Sequence, residues 1–188
     1  MEYIEKLKKY LTNIEGHLIH EHSEENNSES VLFATAMQLS YSNEIGNKIA
    51  SVVLFHQTTI ALMKKLIIRC NLLTQLLIFP NQLNFKKIKD DESYSVVFRT
   101  LENHISFLNK GKLISKIRDL NSLRTEIAHK MHNTDVDVYL NENTNNLQKR
   151  FDEIWSNYIE STRNLNKKIN EAAKRDDILK LIENDEQN

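Results

Sequence analysis

Apolar side chains recur every three to four residues along most of this chain, the spacing that puts them on one face of a helix. The first such run, Glu2 to His20, carries Ile4, Leu7, Leu11, Ile14 and Leu18 on one seam at heptad spacing. A polar linker, Glu24-Glu-Asn-Asn-Ser, leads to a second run beginning near Val31, with Ser28 or Ser30 placed to cap it. From Ile45 to Leu77 nearly every turn is apolar on several sides (Ile49, Val52, Val53, Phe55, Ile60, Leu62, Met63, Leu66, Ile67, Leu73, Leu76), which predicts the central helix of a bundle. Phe79-Pro80-Asn81 ends it, because proline lacks the amide and pushes its predecessor out of helical geometry. After a charged connection at 81–92, Ser93 to Leu108 reads as a further helix, and Asn109-Lys-Gly-Lys as a short link in which glycine stops it. The next apolar stripe steps through Leu113, Ile117, Leu120, position 124, Ile127 and Met131. His132 to Asn146 reads as a polar loop. Phe151, Ile154, Trp155, Tyr158, Ile159, Leu165 and Ile169 then line the inner face of a last helix running from Leu147 to Ile182.

These elements predict an all-α fold: a single-domain antiparallel bundle of about five helices over residues 1–182, followed by a disordered acidic tail at 183–188. Composition agrees, since three glycines and one proline in 188 residues are too few for a protein built from tight turns. The N-terminus lacks the unbroken apolar core of a signal peptide. The most apolar segment, Leu66 to Phe79, is short and is interrupted by Arg69, Asn71, Thr74 and Gln75, so no membrane partner is expected. Cys70 is alone, which excludes a disulfide framework and a thiol cluster for zinc, and fits a reducing cytoplasm. It reads as a small core residue. His17, His20 and Glu21 share a helix face, but without the spacing of an established zinc motif. No metal and no cofactor is expected.

The net charge of −1 hides an uneven distribution. Between 110 and 130 stand Lys110, Lys112, Lys116, Arg118, Arg124 and Lys130 against Asp119 and Glu126, a basic stripe suited to phosphates. Within it, Arg124 falls where the helical period calls for an apolar residue, and a permanent charge on a core-facing stripe is costly unless it is paired or reaches a cleft. His129 follows, in Leu120-Asn-Ser-Leu-Arg124-Thr-Glu-Ile-Ala-His129-Lys130. Arginine, four residues, histidine is a weak pattern by itself, and Arg99 to His104 repeats it without the same surroundings. The leucines before Arg124, the Ile127-Ala128 pair before His129, the long apolar helix upstream and the short helix link at Asn109 to Lys112 set this copy apart.

That combination resembles the HEPN superfamily (higher eukaryotes and prokaryotes nucleotide-binding), small helical bundles marked by an arginine and a histidine four to six residues apart. The sharp part of the likeness covers Leu113 to His132. The resemblance implies a metal-independent endoribonuclease, often a toxin or an antiphage defence component, working as a homodimer with Arg124 and His129 of both subunits facing one cleft. It also implies an antitoxin or defence-system partner. Thr125 stands where many members carry asparagine, aspartate or histidine. Met131 stands where the subfamily controlled by nucleotidylation has tyrosine.

The chemistry has its own argument. Cleavage of RNA by its 2′-hydroxyl needs a base, an acid for the leaving 5′-oxygen, and positive charge on the phosphate. Histidine serves the first two because both its forms are available near neutral pH. Arginine serves the third through a planar fork that stays charged. Arg124 and His129 are therefore the catalytic candidates, with Thr125, Lys130, Arg118, Lys116 and His132 as substrate-binding candidates. At ~100° per residue, positions 124 and 129 lie about 140° apart on one helix, so a two-fold interface is expected to complete the site. The competing readings are a helical module of the same fold that binds nucleotide, RNA or a partner without turnover, and a generic helical adaptor.

Overall fold

The computed structural model describes residues 26–81, 83–130 and 136–176, with Ile178 and Lys180 beyond them. The first expected helix, its histidines, His132 and the acidic tail lie outside the described residues. Within them the chain is all helical: α1 Asn26–Ser40, α2 Ile45–Ile78, α3 Tyr94–Glu102, α4 Lys110–Lys130 and α5 Val136–Ala173. The central helix is α2, which packs on each of the others. Residues 41–44 are too few to let α1 and α2 pack side by side without reversing the chain, so the pair is antiparallel.

An aromatic stack ties α1, α2 and α5 together. Phe151 lies 4.4 Å from Phe55 and 5.1 Å from Phe33, ring centre to ring centre, and Phe33 stacks on Trp155 at 5.0 Å. Polar groups on the buried faces of α2 are mostly satisfied. The Lys48 ammonium donates to Asn141 Oδ1, Arg69 Nε donates to Asn166 Oδ1 at 3.2 Å, and Lys65 pairs with the buried Glu29 at 2.8 Å. The Gln75 amide donates to Asn81 O at 2.7 Å and accepts from Leu83 N at 3.1 Å, fixing the chain as it leaves α2. Arg175 Nη1 donates to Leu76 O at 3.1 Å and Leu77 O at 3.3 Å, carbonyls that the helix end leaves without amides. By length and composition alone α2 would pass for a membrane-crossing helix. Many of its apolar side chains pack in this bundle core, while Val53, Ile68 and Leu77 are exposed. Burial pushes the Cys70 thiol up to about 12, as suits a core residue with no thiolate chemistry.

Several boundaries differ from those the sequence predicts. Neither Ser28 nor Ser30 caps α1, which begins upstream at Asn26. The third helix stops at Glu102 rather than Leu108, because Asn103 closes it and the chain then turns: His104 Nδ1 accepts the Ile105 amide at 3.0 Å. The residue that makes the link into α4 is Asn109, in the left-handed region at φ 62°, while Gly111 is already helical. Asparagine tolerates that region better than other side-chain-bearing residues, and its amide is held by Glu160. The expected polar loop at 132–146 is helical from Val136 on. Leu140 and Leu147 extend the seam of Ile154 by heptad steps, and their burial outweighs the weak helix propensity of the asparagines between them. At its far end α5 stops at Ala173, with a break at Lys174–Arg175, not at Ile182.

Candidate functional site

The register of α4 decides where its charged residues go. Leu113, Ile114, Ile117, Leu120, Leu123 and Ile127 are buried, so the stripe passes from 120 through 123 to 127. Both 120→123 and 120→124 are steps the helical period allows. Packing selects leucine, whose burial gains about 1.5–3 kcal/mol, over a guanidinium whose unpaired burial would be costly. Arg124 is therefore exposed on the flank of the stripe, and its expected place on the core-facing stripe is corrected.

There it borders a groove of about 890 Å³ formed by α2, the segment leading into α3, and α4. The floor includes His56, Ile60 and Ala61 of α2; Asp90 to Ser95 form one wall; Asn121, Arg124 and Thr125 form the other. Among the described residues Arg124 makes no ion pair and no hydrogen bond. Of the remaining cations of the basic stripe, Lys110, Lys116, Arg118 and Lys130 are engaged. Lys116 pairs with Glu153 at 2.6 Å, and Arg118 pairs with Glu102 at 2.7 Å while resting over the Phe98 ring. Lys130 lies 3.7 Å above the ring of Tyr139, whose hydroxyl bonds Glu126. Solvent screens exposed pairs of this kind, so a phosphate can compete for Lys116 or Arg118 at little cost.

Thr125 borders the groove, its hydroxyl donating to Asn121 O at 2.9 Å. His129 is exposed and does not border it. One chain thus brings Arg124 and Thr125 to the groove and leaves His129 on another face of α4, as the angular separation requires. No protein-family model, curated protein or solved structure matches this chain.

The side chain that sequence reasoning missed is His56. It is 5% exposed, its ring sits 4.9 Å from that of Tyr94, and its Nε2 is buried with no hydrogen-bond partner. Burial, and then the Arg124 charge, hold its pKa below the usual 6.5. The Asn121 side chain pulls the other way without closing a hydrogen bond to Nε2. At neutral pH the ring is uncharged. Tyr94, pushed up to about 12 chiefly by burial, stays a phenol. The signal was present in Leu54-Phe55-His56-Gln57, an imidazole in the middle of the most apolar helix.

The second arginine–histidine copy behaves differently. His104 Nδ1 accepts the Ile105 amide at 3.0 Å, which leaves Nε2–H to donate to Asn71 Oδ1 at 2.6 Å. Both nitrogens are satisfied, and the bond to Nδ1 requires the neutral ring. Burial and then Lys110 also lower its pKa from the usual 6.5. With a folded pKa below the unfolded one, the unfolded chain takes up protons that the folded chain refuses once the pH drops under 6.5. Stability is therefore highest above that value and falls as the pH descends through the window. A urea midpoint measured at about pH 5.5 should lie below that at about pH 7.5, and His104→Gln should narrow the gap. Among the described residues no group of three histidine, cysteine or acidic side chains is placed to hold a metal ion.

Proposed function

We propose that this chain is a metal-independent endoribonuclease of HEPN type that cleaves RNA by attack of the 2′-hydroxyl on the adjacent phosphate, acting as a cytoplasmic toxin or antiphage defence component. The observation that carries this reading is Arg124: an exposed guanidinium on a groove, free of ion pairs among the described residues, within a helix whose other cations are largely engaged. A fork of that kind binds two phosphate oxygens and is strongest where charge builds on them. His129, exposed on the same helix, supplies proton transfer in a homodimer, where each chain presents its histidine to the other's arginine. Thr125, Lys130, Arg118, Lys116 and His132 extend the RNA contact, and an antitoxin or defence-system partner restrains the enzyme.

Induced expression should arrest growth, and Arg124→Ala and His129→Ala should each lift the arrest, since losing an electrostatic contact to the transition state or a proton-transfer group typically costs about 10²-fold or more. Arrest that persists in both variants would refute these assignments. One observation favours a second reading, a non-catalytic RNA- or nucleotide-binding module. Arg124 and His129 do not share a groove in one chain, so a protein that stays monomeric holds no arginine–histidine pair of this motif. Purified protein that shifts RNA in a gel and never cuts it would establish that reading.

A further inference from the structure

We infer that the groove is a binding site for a single phosphate ester whose two ligands come from one chain, the Arg124 guanidinium on α4 and the His56 imidazole on α2. The substrate class, a ribonucleotide phosphate, rests on the ribonuclease reading; the site itself does not.

A buried polar atom without a partner costs about 1–3 kcal/mol, which makes its position informative. Among the described residues three side chains carry such an atom: His56, Thr162 and Asn164. Only His56 of these borders the groove. His104 shows how this fold treats a histidine with a structural role, by satisfying both ring nitrogens. His56 receives no such treatment, although Asn121 is close enough to influence its charge. Across the groove floor stands Arg124, which likewise lacks a partner among the described residues. A buried imidazole nitrogen without a partner and an exposed guanidinium open to an incoming anion thus border one groove.

The ligand has to reach Nε2 by rearranging side chains, because that atom is shielded from solvent. Arg124, whose charge is felt by the ring, and Asn121, whose side chain hydrogen-bonds to it and which borders the groove beside Arg124, are the ones to move. A neutral imidazole presenting Nε2–H donates one hydrogen bond to the phosphate while arginine supplies two in parallel. Tyr94 packs against the imidazole and fixes its plane.

Charge on the rim limits what enters. Asp90, Asp91 and Glu92 border the same groove, and Lys64 donates to Asp90 O at 2.6 Å. Carboxylates there repel a second phosphate and accept hydrogen bonds from sugar hydroxyls or base amines. The site therefore suits one phosphate carrying a nucleoside, and disfavours a bare polyphosphate.

Isothermal titration with cytidine 3′-monophosphate, inorganic phosphate and pyrophosphate tests this on the full chain, alongside imidazole ¹⁵N shifts. The nucleotide should bind most tightly and pyrophosphate least. Arg124→Gln and His56→Gln should each weaken nucleotide binding about tenfold or more, while Arg99→Gln at an exposed site outside the groove should not. The His56 nitrogen resonances should move on saturation and those of His104 should stay. Nucleotide binding that Arg124→Gln leaves intact, an unshifted His56, or tighter binding of pyrophosphate would overturn the inference. If His56→Gln fails to fold, the wild-type shifts and Arg124→Gln decide. Binding with this profile but no RNA cleavage would refute the ribonuclease reading and leave the site standing. Cleavage without any effect of His56→Gln on binding would do the reverse.

Discussion

Arg124→Ala is expected to lower RNA cleavage by about 10²- to 10³-fold, the usual cost of removing one preorganised electrostatic contact to a transition state. Its stability should change by about 0.5 kcal/mol or less, because the side chain is exposed and bonded to nothing among the described residues. This separation of activity from stability is the diagnostic feature. Arg124→Lys should recover little, since an ammonium keeps the charge and loses the two parallel donors. Initial rates on a fluorogenic RNA, paired with urea denaturation of each variant, measure both quantities. A large stability loss in Arg124→Ala would show that the guanidinium holds the fold together, and its loss of activity would then say nothing about phosphate.

Phe151→Ala should have the opposite profile and the largest effect on stability of any single change considered, about 3–5 kcal/mol. Phe151 is 0% exposed and stacks against both Phe55 and Phe33, so its removal opens a cavity where α1, α2 and α5 meet. Stacked aromatic pairs add about 0.5–1.5 kcal/mol to what burial alone contributes. Urea unfolding followed by far-ultraviolet circular dichroism reads the shift. A loss under about 1 kcal/mol would mean that this stack contributes little and that the bundle is held elsewhere.

The central helix was legible in the sequence almost residue for residue, from Ile45 to the stop before Pro80, because a long apolar run and a proline act locally. So were most residues of the inner face of α5, where Phe151, Ile154, Tyr158, Leu165 and Ile169 are buried. Its start at Val136 was not. The asparagines at 141, 143, 145 and 146 weaken helix propensity locally, and only the packing of Leu140 and Leu147 overrides it. The link before α4 was expected at 109–112 but occupies 103–109, and Asn109, not Gly111, adopts the positive φ.

At the candidate site the basic helix was legible and its register was not. A period of 3.6 leaves 120→123 and 120→124 equally open, and only the shape of the core selects Leu123. Arg124 thus stands out less for resisting burial than for lacking a partner, a property no sequence pattern carries. His56 was overlooked for a related reason. A histidine in an apolar helix is commonly a satisfied core residue, and whether its nitrogens find partners depends on neighbours far away in sequence. His104 did find them, at Asn71 and Ile105; Nε2 of His56 did not.

The most direct test is to incubate the purified protein with single-stranded RNA in the presence of a chelator and to analyse the product ends, with a fully 2′-O-methylated strand of the same sequence beside it. The expected result is cleavage of the RNA alone, leaving 2′,3′-cyclic phosphate and 5′-hydroxyl ends, and loss of that cleavage in Arg124→Ala. Cleavage of the methylated strand, or tight RNA binding with no cut in any preparation, would contradict it.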